Sequence, residues 1–368
     1  MAIEKDLAAL QSCITNRLDL PAIANHRLAG VIGDAPSHYS KSPTLWNAAF
    51  RLLGMNAVYV PFDVEEGRLK ELAAALKDSE RVLGINVTVP HKQKIMDYLD
   101  TLDDGAARIE AVNTVVRTAD GHLIGFNTDG EGFVKSVLEP QPGEARGFMD
   151  SLKDINVLLL GAGGSARAVA FHVADLLNNG RLLICNRTFE HARALAEEIR
   201  HAGRNADAIK EEELPHWAPQ MQLIINSTTK GQGGVRKLDQ GRTMSLEFYS
   251  ALAPAYPVAV PPSEAADFRD ESKASETDIK TNNAASIELA TSIPKHVCFY
   301  DLVYFPEQTV FLRHARQTGH PTMNGKGMII NQAVIAFCER ICRAELQNRG
   351  IDKPDIAKQV REVMYGAW

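Results

Sequence analysis

The chain has little that would tie it to a membrane, a nucleic acid or a metal. Its 368 residues contain no apolar run long enough to cross a bilayer, so no membrane association is expected. The opening residues Met1-Ala-Ile-Glu-Lys-Asp6 carry acids and no long apolar stretch, unlike a signal or transit peptide. No excess of positive charge exists: Lys and Arg number 40 against 46 Asp and Glu, a formal net charge of -6. Displacing phosphate counterions needs a basic stripe, so nucleic acid is not an expected partner. Only five cysteines occur (Cys13, Cys185, Cys298, Cys338 and Cys342), and none forms a CxxC pair. An odd count at wide spacings fits reduced thiols and a cytoplasmic location. Cys338 and Cys342 stand four apart on an expected helix, but with no further Cys or His near them in sequence they are read as core packing, and no metal is expected.

What is present fits a folded globular protein. With 45% hydrophobic and 23% charged residues, disorder is excluded, and the length favours two domains. Leu7, Leu10, Ile14 and Leu18 are three or four apart, which predicts a helix over Glu4 to Leu18 with one apolar face. From Leu28 onward, short apolar runs alternate with helical periodicity: LAGVIG, Pro43 to Leu53, AVYVPF, Glu65 to Leu76, GINVTV, and Gln93 to Leu99. That rhythm implies a mostly parallel sheet covered by helices. AVNTVVR and HLIGFNT, joined through Asp120-Gly121, predict a hairpin closing one edge of this sheet. The Pro/Gly/Glu stretch from Glu139 marks a change of domain beside a connecting helix at Gly132 to Leu138. A second βαβ series starts at Ile155, and Gly231 to Pro294 reads as a polar surface insertion without sustained period. HVCFYDLVY reads as a strand, and helices at about Lys326 to Asn348 and Pro354 to Tyr365 finish the chain.

The fold class is therefore α/β in two domains: an N-terminal, mostly parallel sheet domain and a second βαβ domain of Rossmann-like rhythm, with the C-terminal helices expected to return to the first. The expected limits are 1–132 with a helical extension at 1–27, then 133–325 with the insertion at about 233–294, then 326–368.

The second series opens on a nucleotide signature. The apolar strand Asn156 to Leu160 runs into Gly161-Ala162-Gly163-Gly164-Ser165-Ala166 and then a helix, the GxGxxA form of the dinucleotide fingerprint. Gly161 permits the tight turn, Gly163 lets the backbone approach a pyrophosphate, and Ala166 allows close helix packing. The next strand ends in Asn186-Arg187-Thr188, where an NAD enzyme usually offers an acid to the ribose hydroxyls. A guanidinium there suits a 2′-phosphate, so NADP(H) is favoured, with NAD(H) as the alternative.

Four polar clusters fall at strand ends of the first domain: Ser40-Lys-Ser42-Pro43, Asn86-Val-Thr88-Val-Pro-His-Lys92, Asn113-Thr114 and Asn127-Thr-Asp129. Singly, each has a structural reading. Ser42-Pro43 is a helix start, Asn113 and Asn127 form turns, and Lys92 is a solvated helix residue. In an open parallel sheet, however, strand ends converge on one ligand crevice. Hydroxyls, amides and one Lys/Asp pair there suit a polyol carboxylate.

Together the segments GDAPSHYSKSPTLWNAAF, GINVTVPHK, AVNTV, GFNTDGEG, GAGGSARA, NRT, INSTTKG, DLVYFPEQT and GKGMIINQA resemble the shikimate dehydrogenase family in order and spacing, from about Leu28 to Phe337. The resemblance implies a two-domain oxidoreductase reducing 3-dehydroshikimate to shikimate with NADPH in aromatic amino-acid biosynthesis. It implies that Ser40 and Ser42, helped by Tyr304, hold the substrate carboxylate. Asn86, Thr88, Asn113 and Gln332 would bind ring hydroxyls, and Lys92 and Asp129 would form the catalytic pair. Gly161 to Ala166, Asn186 to Thr188, Asn226-Ser227-Thr228 and Gly327 would line the dinucleotide. Reduction of a ketone builds negative charge on its oxygen, which calls for a positive donor that can surrender a proton, as Lys92 can.

Two positions depart from the family's pattern: Trp46 stands where a His is usual, and His191 replaces a basic residue that many NADP-using members have. The alternatives are a quinate/shikimate dehydrogenase using NAD or both cofactors, another two-domain dehydrogenase such as a methylenetetrahydrofolate dehydrogenase, and a non-catalytic ligand sensor. The paired serines and the Asn-Thr-Asp run argue against the folate enzyme. Loss of Lys92 or Asp129, or an attached DNA-binding segment, would mark the sensor, and neither is present. The expected partner is a small molecule, the assembly a monomer or homodimer.

Overall fold

Two six-stranded sheets organise the chain in a computed structural model that describes residues 2–238, 242–261 and 272–368. One unit comprises Met1–Ala145 and Met328–Trp368, the other Arg146–Gly327. The chain thus changes unit after Ala145, where Gly132 is the expected limit, and the helix Asp129–Leu138 belongs wholly to the first unit.

In the first unit the strands are β1 (Arg27–Gly33), β2 (Ala57–Asp63), β3 (Val82–Val87), β4 (Thr101–Leu102), β5 (Thr114–Arg117) and β6 (Leu123–Phe126), in the order β2-β1-β3-β5-β6-β4. β1 pairs parallel with β2 and β3, whereas β5 runs antiparallel to β3 and β6. The β5/β6 hairpin forms as expected but does not close the sheet. Short β4 lies outside it, parallel to β6, where the Asp100 carboxylate accepts from the Leu123 N–H (2.8 Å).

Alternation along β1 builds both faces. Leu28 and Ile32 enter a core with Leu7, Leu10, Phe62 and Leu72, while Ala29 and Val31 enter another with Trp46, Phe50, Phe337 and Met364. Each fully buried large apolar side chain contributes about 1.5–3 kcal/mol. The N-terminal helix spans Ala2–Ser12, shorter than expected. Gln11 turns the chain there: its amide donates to the Asn16 carbonyl (2.9 Å) and accepts from the Leu18 N–H (2.9 Å), so Leu18 reaches the core from a turn. The segment expected as a helix from Gln93 to Leu99 is a 3₁₀ turn, Lys94–Tyr98. At the C-terminal end, Lys326–Ile335 passes into a π-helical turn at Ala336–Ile341 before Arg343–Asn348, and Pro354–Gly366 follows. The wider turn interrupts the expected continuous helix while keeping Ala336, Phe337 and Ile341 buried.

The second unit carries β7 (Val157–Leu160), β8 (Leu182–Cys185), β9 (Ala206–Ile209), β10 (Leu223–Asn226), the hairpin β11 (Val235–Lys237) and β12 (Thr243–Ser245), then β13 (Cys298–Asp301) and β14 (Thr322–Met323). Its main sheet is parallel in the order β14-β13-β10-β7-β8-β9, the Rossmann arrangement of two half-sheets wound outward from a central switch point. The expected polar insertion contains a helix, Glu276–Ser292. Its buried face is polar, which hides the helical period. The Asn282 amide donates to the carbonyls of Ser250, Ala253 and Pro254 and accepts from the Ser250 N–H, and the Ser286 hydroxyl bonds that of Ser250. Residues 262–271 of the insertion lie outside the described residues. Among the described residues no helix is long and apolar enough to cross a membrane.

Candidate active site

In the first sheet the chain reverses direction of winding at β1, with β2 on one side and β3 on the other, so the loops after β1 and β3 border one crevice. The β1 loop carries Ser40 and Ser42, and the β3 end carries Asn86, Thr88 and Lys92. Asn113 precedes β5, Asp129 opens the helix Asp129–Leu138, and Gln332 lies on Lys326–Ile335.

Hydrogen bonds join most of these. Lys92 Nζ donates to Asp129 Oδ2 at 2.5 Å, with side-chain exposures of 14% and 6%, so the pair is largely shielded from screening. The other carboxylate oxygen accepts from the Asn113 amide (2.8 Å), which also donates to Gln332 Oε1 (3.0 Å) and Thr128 Oγ1 (3.0 Å). Asn113 Oδ1 accepts from the Thr128 N–H (2.9 Å), and the Asp129 N–H donates to Asn127 Oδ1 (3.0 Å). The first turn of a helix also favours an anion at Asp129. Gly132 fits here because a Cβ would lie 2.6 Å from the Gln332 backbone nitrogen; its absence lets the two helices meet.

Tyr59 escaped the sequence reading, and Thr128 stood in its cluster without a role. The fully buried Tyr59 donates its hydroxyl to Asn86 Oδ1 (2.8 Å). Burial pushes this phenol well above its usual pKa, with a hydrogen bond to Ser42 pulling the other way. One hydroxyl thus links the β1 loop to the β3 end. Asn86 donates in turn to Thr114 Oγ1 (3.0 Å). Trp46 is buried and stacks on Tyr59 with centroids 4.8 Å apart, so its departure from the family's His serves packing.

The second unit holds the remaining sequence-derived residues, Tyr304 and Gly327 among them. Gly161 follows β7 with φ of 113°, and a Cβ there would sit 2.6 Å from Ser227 Oγ. Ser227 follows β10 and donates to the Leu160 carbonyl (2.7 Å), so both loops lie at the switch point of the sheet. Gly163 and Gly164 face open space where a Cβ would point, at the start of the helix Gly164–Leu176, while Ala166 is buried. A dinucleotide pyrophosphate fits that cradle of backbone N–H groups and helix dipole. Arg187 and Thr188 are exposed beyond β8, and the Asn186 amide donates to the Thr188 carbonyl (2.9 Å), shaping the turn. Asn226 is fully buried: it donates to the Lys230 carbonyl and Asp301 and accepts from Thr228, so it shapes the Ser227-Thr228 loop. His191 is exposed on the helix Phe189–His201. Among the described residues no group of three or more His, Cys, Asp or Glu is placed to hold a metal ion.

Two family models match the chain: the shikimate dehydrogenase substrate binding domain over residues 31–115 and shikimate / quinate 5-dehydrogenase over 144–246. The shikimate dehydrogenase (NADP(+)) of Methanococcus maripaludis is 34% identical, covering 84% of this chain and 90% of that protein. The Bacillus subtilis enzyme of the same name is also 34% identical over 84% of this chain and 90% of its own. A shikimate dehydrogenase solved with NADP+ superposes with a TM-score of 0.65 at 30% identity, covering 93% of this chain and 95% of that one. Shikimate 5-dehydrogenase from Listeria monocytogenes, solved with shikimate and NAD, gives 0.66 at 26% identity over 95% and 99%. Quinate dehydrogenase from Corynebacterium glutamicum, solved with NAD, gives 0.63 at 25% identity over 93% and 99%.

Proposed function

The chain belongs to the shikimate dehydrogenase family, and from that premise we propose that it is an oxidoreductase interconverting 3-dehydroshikimate and shikimate with NADP(H). The observation that carries the reading is the shielded Lys92 and Asp129 pair, locked by Asn113 beside hydroxyls and amides suited to a polyol carboxylate.

Ser40 and Ser42 donate to the substrate carboxylate, and Asn86, Thr88, Asn113 and Gln332 bond the ring hydroxyls. The Gly161 to Ala166 loop, the Ser227-Thr228 loop and Arg187 hold the dinucleotide, Arg187 at the 2′-phosphate. When bound, the reduced nicotinamide supplies the hydride. Lys92 Nζ stabilises the negative charge that develops on the carbonyl oxygen and passes a proton to it. Asp129 Oδ2 keeps the ammonium aimed, and Asn113, by holding Oδ1, keeps the carboxylate from swinging away. In the reverse direction neutral Lys92 accepts the hydroxyl proton. The chain's five cysteines are unpaired, and we place the enzyme in the cytoplasm.

A quinate reading with NAD is favoured by one observation, the exposed His191 in place of a basic residue near the 2′-phosphate turn. Initial rates with shikimate or quinate, each paired with NADP or NAD, separate the two. Fastest turnover of shikimate with NADP is the expected result; preference for quinate with NAD moves the chain to the other specificity. Lys92→Met is expected to lose at least about a hundredfold in turnover while still binding NADPH, the scale of a lost general acid. Near wild-type turnover in that variant removes Lys92 from the mechanism, and no turnover of any pair by the wild type leaves a ligand sensor.

A further inference from the structure

The N-terminal extension precedes the first family-model segment, yet its turn is bonded to the support beneath Ser40 and Ser42. β2 is an edge strand of the first sheet, so its outer N–H and C=O groups need partners. Asn47 supplies them at Tyr59, and Thr15 and Asn16 supply them at the end of the strand. The Thr15 N–H donates to the Asp63 carbonyl (2.8 Å), Asn16 Oδ1 accepts from the Asp63 N–H (2.7 Å), and Asn16 Nδ2 donates to the Pro61 carbonyl (3.0 Å). One asparagine side chain thereby takes the place of a neighbouring strand at the end of β2. Leu10, Ile14 and Leu18, all buried, anchor the extension to the first core.

Asp63 carries this support to the serine loop. Its buried carboxylate accepts from the Ser37 N–H at Oδ1 (2.9 Å) and from the Ser37 hydroxyl at Oδ2 (2.5 Å). Ser37 lies in the helical turn Pro36–Tyr39, whose Pro36 carbonyl accepts from the Ser40 N–H (3.0 Å). Ser40 Oγ then accepts from the Ser42 N–H (3.2 Å).

We infer that Asn16 and Asp63 are positioning residues for the substrate carboxylate: the extension clamps the end of β2, and Asp63 holds the turn that aims the Ser40 and Ser42 hydroxyls. The inference rests on the reading of those two serines as the carboxylate site.

Asn16→Ala, Asp63→Ala, Asp63→Asn and Ser42→Ala in the full chain test it, through initial rates against shikimate and NADP together with thermal midpoints. Asn16→Ala and Asp63→Ala are expected to raise the KM for shikimate roughly fivefold or more, the size of one lost hydrogen bond, with kcat and the KM for NADP within about twofold of wild type. Asp63→Asn is expected to recover most of that loss, because its amide can still accept from the Ser37 N–H and donate to the Ser37 hydroxyl. A lower kcat at unchanged KM reports loss of folded enzyme and overturns the assignment. A raised KM in Ser42→Ala beside wild-type values in Asn16→Ala and Asp63→Ala also overturns it. Unchanged KM in Ser42→Ala overturns the carboxylate reading instead, and the inference with it. Should Asp63→Ala fail to fold, Asn16→Ala decides, since it leaves the Asp63 carboxylate in place.

Discussion

Asp301 ends β13 with its carboxylate sealed from water, accepting from Asn226 (2.9 Å), the Val303 N–H (2.9 Å) and the Thr309 hydroxyl (2.6 Å). Burial pushes its pKa up to about 7, against the pull of these three hydrogen bonds. The folded chain then binds this proton more tightly than the unfolded chain. The stability it contributes is complete below about pH 4, the ordinary aspartate value, and is lost as pH rises through the folded value. Asp301→Asn stays neutral throughout. The stability of wild type relative to this variant is expected to fall between pH 4 and pH 8 in denaturant titrations, and a constant difference would count against it. Asn226 also bonds Thr228, so the same carboxylate braces the Ser227-Thr228 loop. That Lys92, Asp129 and Asn113 come together was legible in sequence because polar clusters gather where strands end, and their proposed roles come from the family resemblance. Tyr59 was not, since it occupies a core position in an apolar strand and its side chain meets polar partners through the hydroxyl alone.

At the scale of elements, the helices Asp129–Leu138 and Lys326–Ile335 meet at Gly132. Gly132→Ala is expected to destabilise by about 1–3 kcal/mol, as overpacking does, because the nearest obstacles are the Gln332 backbone and its Cβ, which cannot swing aside. It should also raise the KM for shikimate by displacing Asp129 and Gln332. Urea denaturation and steady-state kinetics read both effects, and wild-type stability in that variant would sink the close-packing argument. Helices with apolar stripes, such as Leu69–Asp78 with Leu69, Leu72, Ala73 and Leu76 buried, were readable from periodicity. Glu276–Ser292 was not, because Asn282 and Ser286 occupy its buried face and their partners lie in a distant loop. The N-terminal helix was overextended for the converse reason: Leu18 continues the apolar period after the Gln11 side chain has already turned the backbone.

Across the whole molecule, each unit has its own sheet and core, and the residues proposed to hold the dinucleotide fall within 146–327. Ligand that binds only the folded state adds about 2.7 kcal/mol at a hundred times its Kd. NADP is therefore expected to slow amide hydrogen exchange chiefly in β7, β8 and β10, and protection confined to β1 through β6 would contradict the assignment of the cofactor loops. The two-domain plan was legible because the βαβ rhythm restarts after a Pro/Gly/Glu stretch. The exact crossing point was not, since the helix Asp129–Leu138 packs by tertiary contact with a segment nearly 200 residues later in the chain.

That long return sets an order of assembly during synthesis. The first unit resumes only at Met328, and its second core needs Phe337, Ile341, Val360 and Met364 to cover Trp46 and Phe50. On the ribosome the second unit is fully translated before this closing piece exists. Until then that core lacks its C-terminal cover, and the apolar side chains of the helix Ser42–Leu52 stay exposed to chaperones and to aggregation. A nonsense codon shortly after Gly327 would release a finished second unit tethered to an unfinished first one, a product for degradation instead of a smaller enzyme.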